Sequence, residues 1–202
     1  MRTRTMILAG LVVLLAGATF AQQMPSTPVS QEFPHVLATV NLQPGQSASI
    51  TVPDAYFTKS APGEMTIYIP TNAFQDPVEF QVLASSNARW DSMVNSKQKV
   101  VANFAYRVLD TKTGKLVEAF KNPVQYTVSD SMIDSNSVYW AVKPGTPPKL
   151  VNANAKSKIQ GNVLSHGTPV AAVGWIITTP KADLASAMSG SSSSGGSSSS
   201  GM

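Results

Sequence analysis

Few residues in this chain are of the kinds that carry out covalent or metal chemistry. Its 202 residues include two histidines, His35 and His166, and no cysteine. Without Cys there is no thiol nucleophile, no thiolate metal site and no disulfide scaffold. Ser96-Lys97-Gln98-Lys99 fits Ser-x-x-Lys and Lys112-Thr113-Gly114 fits Lys-Thr-Gly, both marks of the penicillin-binding enzymes. Those patterns belong to distant parts of a much larger α/β protein. Here a few residues separate them, in a stretch that reads as strands or a hairpin, so the match is a coincidence of composition. No Gly-x-Ser-x-Gly elbow, phosphate loop or His-Glu-x-x-His helix occurs.

Metal ligands are equally sparse. Asp130, Asp134 and Asn136 could offer oxygens to calcium from the loop before Val138. That loop lacks the glycine and the terminal bidentate glutamate of a calcium-binding loop, so a capped turn is expected. Met65, Met93 and Met132 are too widely spaced for a copper cluster and read as packing residues. His166, in Leu-Ser-His-Gly-Thr, falls at a predicted turn, and His35 follows Pro34 near the first strand. A hydrolase would need His166 to meet carboxylates in a cleft. The expectation is two structural histidines, no catalytic residue, no metal and no cofactor. Tyr56, Phe57 and Trp90 fall in predicted loops, where exposed rings could stack on sugars or anchor a partner. They are the candidate contact residues. Trp140 and Trp175 lie in alternating strands and are expected in the core.

The elements that hold these residues read as β throughout. Met65 to Ile69, Val78 to Val82, Val124 to Val128 and Val138 to Val142 alternate apolar and polar residues with a period of two. Further strands are expected at Val36 to Val40, Ser47 to Val52, Val100 to Leu109, Leu150 to Ala153, Ile159 to Leu164 and Val170 to Thr178. Pro44-Gly45, Pro62-Gly63, Asp76-Pro77, Asn122-Pro123 and Pro144-Gly145 punctuate them. Thr111 to Lys115 predicts a hairpin with Gly114 in the left-handed position. Ser85 to Gln98, which holds Trp90 and Met93, is the longest interruption and has room for one helical turn. The sum is all-β: a single antiparallel β-sandwich of about nine or ten strands.

The ends read differently. Arg2 and Arg4, the apolar run Met6 to Leu15 and the small residues up to Ala21 have the layout of a secretory signal peptide, residues 1–21. The apolar run is shorter than the roughly 20 residues that a membrane span needs. Residues 22–32 are polar and proline-bearing, a flexible N-terminal linker. The sandwich occupies 33–181, and 182–202 is a disordered Ser/Gly-rich tail. Only 13% of residues are charged, against about 25% in a typical domain. Loss of Arg2 and Arg4 with the leader lowers the formal charge from +4 to +2. Lys143, Lys149, Lys156 and Lys158 could form a local positive stripe. No nucleic-acid motif accompanies them, so no nucleic-acid partner is expected.

One stretch carries a family resemblance. Pro62-Gly63-Glu64-Met65-Thr66-Ile67-Tyr68-Ile69-Pro70-Thr71-Asn72-Ala73-Phe74 resembles a strand entering an Ile-Pro-x-x-Ala turn, with Val78 to Val82 as its partner strand. Val163 to His166, followed by Val170 to Val173, resembles a closing hairpin. Together these are similar to the β-sandwich domain shared by ankyrins, zonula occludens proteins and netrin receptors, found also in bacterial surface proteins. Where that turn usually carries glycine, this chain has Asn72. The resemblance implies a non-catalytic module for protein contacts, with no active site to transfer.

The sequence therefore predicts an exported protein of the periplasm, cell envelope or extracellular space. It would act as a structural or protein-interaction component whose partner is an envelope or surface protein, or a second copy of itself. A glycan-binding module of the cell surface is the alternative, and no membrane span is expected once the leader is removed.

Overall fold

The computed structural model describes residues 28–53, 63–171 and 173–181. The predicted leader, Tyr56, Phe57 and the Ser/Gly tail lie outside them. A five-residue helix, α1 (Pro28–Glu32), precedes β1 (His35–Leu42), β2 (Ala48–Pro53), β3 (Glu64–Ile69) and β4 (Val78–Ala84). A second short helix, α2 (Asn87–Asp91), leads to the long β5 (Gln98–Asp110), then β6 (Ala119–Ser129) and β7 (Val138–Lys143). β8 (Lys149–Asn152), β9 (Ser157–Gln160), β10 (Val163–Val170) and β11 (Gly174–Pro180) complete the fold.

These strands form two antiparallel sheets packed face to face. One has six strands in the order β1-β4-β5-β11-β7-β8, and the other five in the order β2-β3-β6-β10-β9. Alternation decides which side chains enter the space between them. Met65, Ile67 and Ile69 of β3 and Val124, Tyr126 and Val128 of β6 point inward and are buried. Opposite them stand Phe80 of β4, Phe104, Tyr106 and Val108 of β5, and Trp175 of β11. Their rings interlock: Phe104 stacks on Trp175 at 5.6 Å and meets Tyr126 edge-on at 4.8 Å.

The two sheets differ in what covers their outer faces. β3, and β6 from Val124 onward, alternate between buried and open positions. β5 and β11, by contrast, are buried along nearly their whole length. Such continuous burial requires cover on both faces, and α1 and α2 supply it. Val29, Phe33 and Trp90 pack with Leu83, Ala105, Val142 and Ile176 in a second apolar cluster on the outside of the six-stranded sheet. Part of the predicted 22–32 linker is therefore structural: residues 28–32 are helical, and Val29 is buried with the neighbouring Phe33. The apolar outer face draws this segment down.

Eleven strands stand where about nine or ten were expected. Ile159 to Leu164 is two strands, because Gly161-Asn162 turns the chain and pairs Val163 with Gln160. Gly161 has a φ of 59°, the left-handed conformation such a two-residue turn needs. Val170 to Thr178 likewise divides between the end of β10 and β11. The Thr111–Lys115 hairpin is formed, with Gly114 at φ 69°. The Asp110 carboxylate accepts from the backbone N–H groups of Lys112 and Thr113, and this holds its carboxyl below the ordinary aspartate range. Asn72, at φ 62°, does the work a glycine would do in the turn after β3.

Candidate functional site

Trp90 corrects the expectation of an exposed loop ring. It is 0% exposed, stacked on Phe33 at 5.1 Å, and its indole N–H donates to the Ser85 hydroxyl at 2.6 Å. Asn103, an outward-facing residue of β5, accepts from the Ser85 N–H at 2.7 Å and donates to the Ser85 carbonyl and the Asn87 side chain. Asp91 accepts from the Val100 N–H at 2.8 Å. This network folds α2 back onto the sheet and buries the indole with its polar handle satisfied. Trp90 has no face open to a sugar or a partner. Of the other tryptophans, Trp175 is in the central core. Trp140 is half-buried on the outer face, its N–H donating to Thr178 at 3.0 Å.

The histidines do not meet. His35 lies on β1, an edge of the six-stranded sheet, and His166 on β10, near the far side of the five-stranded one. His166 lies against Tyr126 and Tyr139, with ring centroids at 5.5 and 5.3 Å, and its Nδ1 contacts the Lys156 carbonyl. Burial lowers its pKa. The Lys156 carbonyl opposes that shift and the Lys156 charge adds to it. Asp130 and Asp134 close turns: Asp130 accepts from Met132 N–H and Asp134 from Asn136 N–H, each at 2.8 Å. The Ser-x-x-Lys and Lys-Thr-Gly matches sit at opposite ends of β5, about 40 Å apart at a strand's rise per residue.

A shallow cleft of about 360 Å³ opens beside the Thr111–Lys115 hairpin, lined in part by Phe74 and Phe120, with Asp76 and Asp110 among its walls. Asp76 faces Lys112 at 3.4 Å, and Asp110 is engaged with its own turn. These carboxylates are committed to holding the loop.

The outer face of the five-stranded sheet is polar and is left uncovered by the described elements. Strand register aligns its outward residues into rows. Thr51, Thr66, Thr127 and Ser165 stand side by side across four strands, and Lys158 on β9 ends the row. Adjacent strands lie about 4.8 Å apart, so the hydroxyls recur at that spacing. The next row runs Ser49, Tyr68, Gln125, Gly167. Tyr68 is 47% exposed, a larger fraction than any other Phe, Trp or Tyr among the described residues. The Gln125 amide lies over Gly167, where a Cβ would come within 2.6 Å of it. Apart from Lys158, none of these residues was singled out from the sequence, although the alternation of Met65-Thr66-Ile67-Tyr68-Ile69 already assigns Thr66 and Tyr68 to the face opposite the core.

Among the described residues no three His, Asp or Glu side chains converge as a metal site would require. No described helix is long and apolar enough to cross a membrane. No family model matches the chain, and no curated protein matches it.

Proposed function

We propose that this is an exported, non-catalytic β-sandwich that serves the cell envelope as a structural or protein-interaction component. It works through the uncovered face of its five-stranded sheet. The observation that carries this reading is the asymmetry of the sandwich. One outer face is apolar and covered by α1 and α2, whereas the other is hydroxyl-rich, is uncovered among the described residues and presents Tyr68. The leader-like residues 1–21 support export. The resemblance of Pro62–Phe74 to a protein-contact sandwich domain points the same way. A photoreactive amino acid in place of Tyr68 should crosslink in living cells to a defined envelope protein, and the same probe at Met93 should not. Absence of any Tyr68 adduct would reject the reading.

A second reading is favoured by the same ring. An exposed tyrosine beside evenly spaced hydroxyls is suited to stack on one sugar of a neutral polysaccharide and hydrogen-bond to the next. It expects retention on purified cell-wall polysaccharide that Tyr68→Ala abolishes. Retention that survives Tyr68→Ala, or none at all, excludes it.

A further inference from the structure

The two lateral sides of the sandwich are built differently. On one side the edge strands are β8 and β9, each four residues long, and each carries a lysine. Lys149 stands directly opposite Lys143 in the β7–β8 pair, and Lys156 lies in the turn between β8 and β9. Short length and lysines are the usual means of keeping an edge from pairing. On the other side the edges are β1 and β2. Apart from His35 at its start, β1 contains no ionisable residue, no proline and no glycine over eight residues, and β2 is uncharged along its length.

Their inward side chains are also incompletely covered. Leu37, Ala38 and Val40 of β1 and Ala48 and Ile50 of β2 pack against the core yet are only half-buried. Their counterparts one strand further in, Phe80, Val82, Met65 and Ile67, are at 0% exposure. Val36, on the same edge, is 48% exposed. Among the described residues the core thus runs out to this side and stops without a cap, at an edge strand whose outer row of backbone N–H and C=O groups pairs with no other described strand.

We propose that two copies of this chain pair antiparallel through β1, joining their six-stranded sheets into one continuous sheet. A second copy fits better than a foreign charged strand. The edge bears no charge along Val36–Leu42, so two copies meet without like-charge repulsion, while the lysine-bearing side disfavours the same contact. The register follows from the bulge in β1 between Val36 and Ala38, after which pairing with β4 is regular to Leu42. The regular part is centred on Val40. A two-fold axis there sets Val40 against its own copy, Ala38 against Leu42 and Thr39 against Asn41. Ala38, Val40 and Leu42 then extend the apolar core across the interface, and Thr39 and Asn41, both exposed, form a polar outer pair. This inference goes beyond the proposed function and does not depend on Tyr68.

Sedimentation equilibrium of the mature chain tests it. A reversible monomer–dimer equilibrium is expected, and a monomer at every concentration up to the millimolar range would overturn the proposal. Charge variants test the register. Thr39→Lys with Asn41→Lys opposes two like-charged pairs and should weaken dimerisation at least tenfold. Thr39→Lys with Asn41→Glu opposes unlike charges and should restore it. Equal effects of the two variants, or no effect of either, would refute pairing centred on Val40. Both positions are exposed, and an unchanged melting curve of the dilute monomer separates lost pairing from lost folding. The Tyr68 crosslink reports separately on the sheet-face reading, so either proposal can fail alone.

Discussion

Gly174 and Phe33 offer a sharp test of how the second apolar cluster is held. A Cβ built on Gly174 would lie 2.1 Å from Phe33 Cε2 and 2.4 Å from Cζ. Carbon atoms in contact sit about 3.5–4.0 Å apart, so Gly174→Ala forces the ring back by about 1.5 Å. The ring has little room to retreat, because it is 1% exposed and stacked on the buried Trp90. It must leave its socket and take α1 with it. Burial of a Phe is worth about 1.5–3 kcal/mol, and the aromatic pairing adds about 0.5–1.5 kcal/mol. Replacing a strand glycine by alanine returns about 0.5–1 kcal/mol through lower unfolded-state entropy. The net loss is about 2 kcal/mol, or a fall in Tm of about 4–8 °C for a domain of this size. Urea unfolding followed by tryptophan fluorescence reads both the stability and the exposure of Trp90. The decisive measurement is the double-mutant cycle. In a Phe33→Ala background, itself costing about 3–5 kcal/mol, Gly174→Ala should become neutral or stabilising. Additive effects, with Gly174→Ala equally costly in both backgrounds, would refute the socket.

Two further outcomes follow from buried groups. The pKa of His166 is lowered, chiefly by burial, so the unfolded chain binds the proton first as the pH falls below about 6.5. The His166 contribution is complete above that pH and is lost as the pH drops toward the folded-state pKa. The midpoint of urea unfolding should therefore decline over this range, and His166→Gln should flatten the decline; an unchanged slope would show that other groups cause it. The Tyr139 hydroxyl is buried and has no hydrogen-bond partner among the described residues, and burial pushes its pKa up. Tyr139→Phe removes an unpaired polar atom and keeps the ring, so Tm should hold or rise. A fall of several degrees would mean that the hydroxyl makes a bond.

The β class, the strand periods and most of the turns were legible in the residues, because alternation and turn chemistry act within a few residues of chain. The distinction between covered and uncovered sheets was present only as a pattern, which the reading of Trp175 as part of an alternating strand misses. The continuous apolar run Trp175-Ile176-Ile177 signals a strand buried on both faces, and Met65-Thr66-Ile67-Tyr68-Ile69 signals one with a single buried face. The Gly161-Asn162 turn was also present as a signal, though it lay inside an apolar stretch read as one strand. The site was less legible. Tyr68 looked like one residue of a strand and Trp90 like an exposed loop ring, and the structure reverses their roles. Exposure depends on what lies across the sheet, and local pattern does not encode that.

By itself, then, the sequence determined an all-β chain, the inward and outward side of strands with one buried face such as β3, and the lack of cysteine chemistry. Only the tertiary structure decided which outer face α1 and α2 would cover, which rows of hydroxyls would align, and which edges would be left open. Those outcomes come from contacts between residues far apart in the chain, such as Phe33 with Gly174, Trp90 with Ser85 and Asn103, and Thr51 in line with Ser165. Their energies come from packing, burial and register, which exist only once the two sheets are assembled.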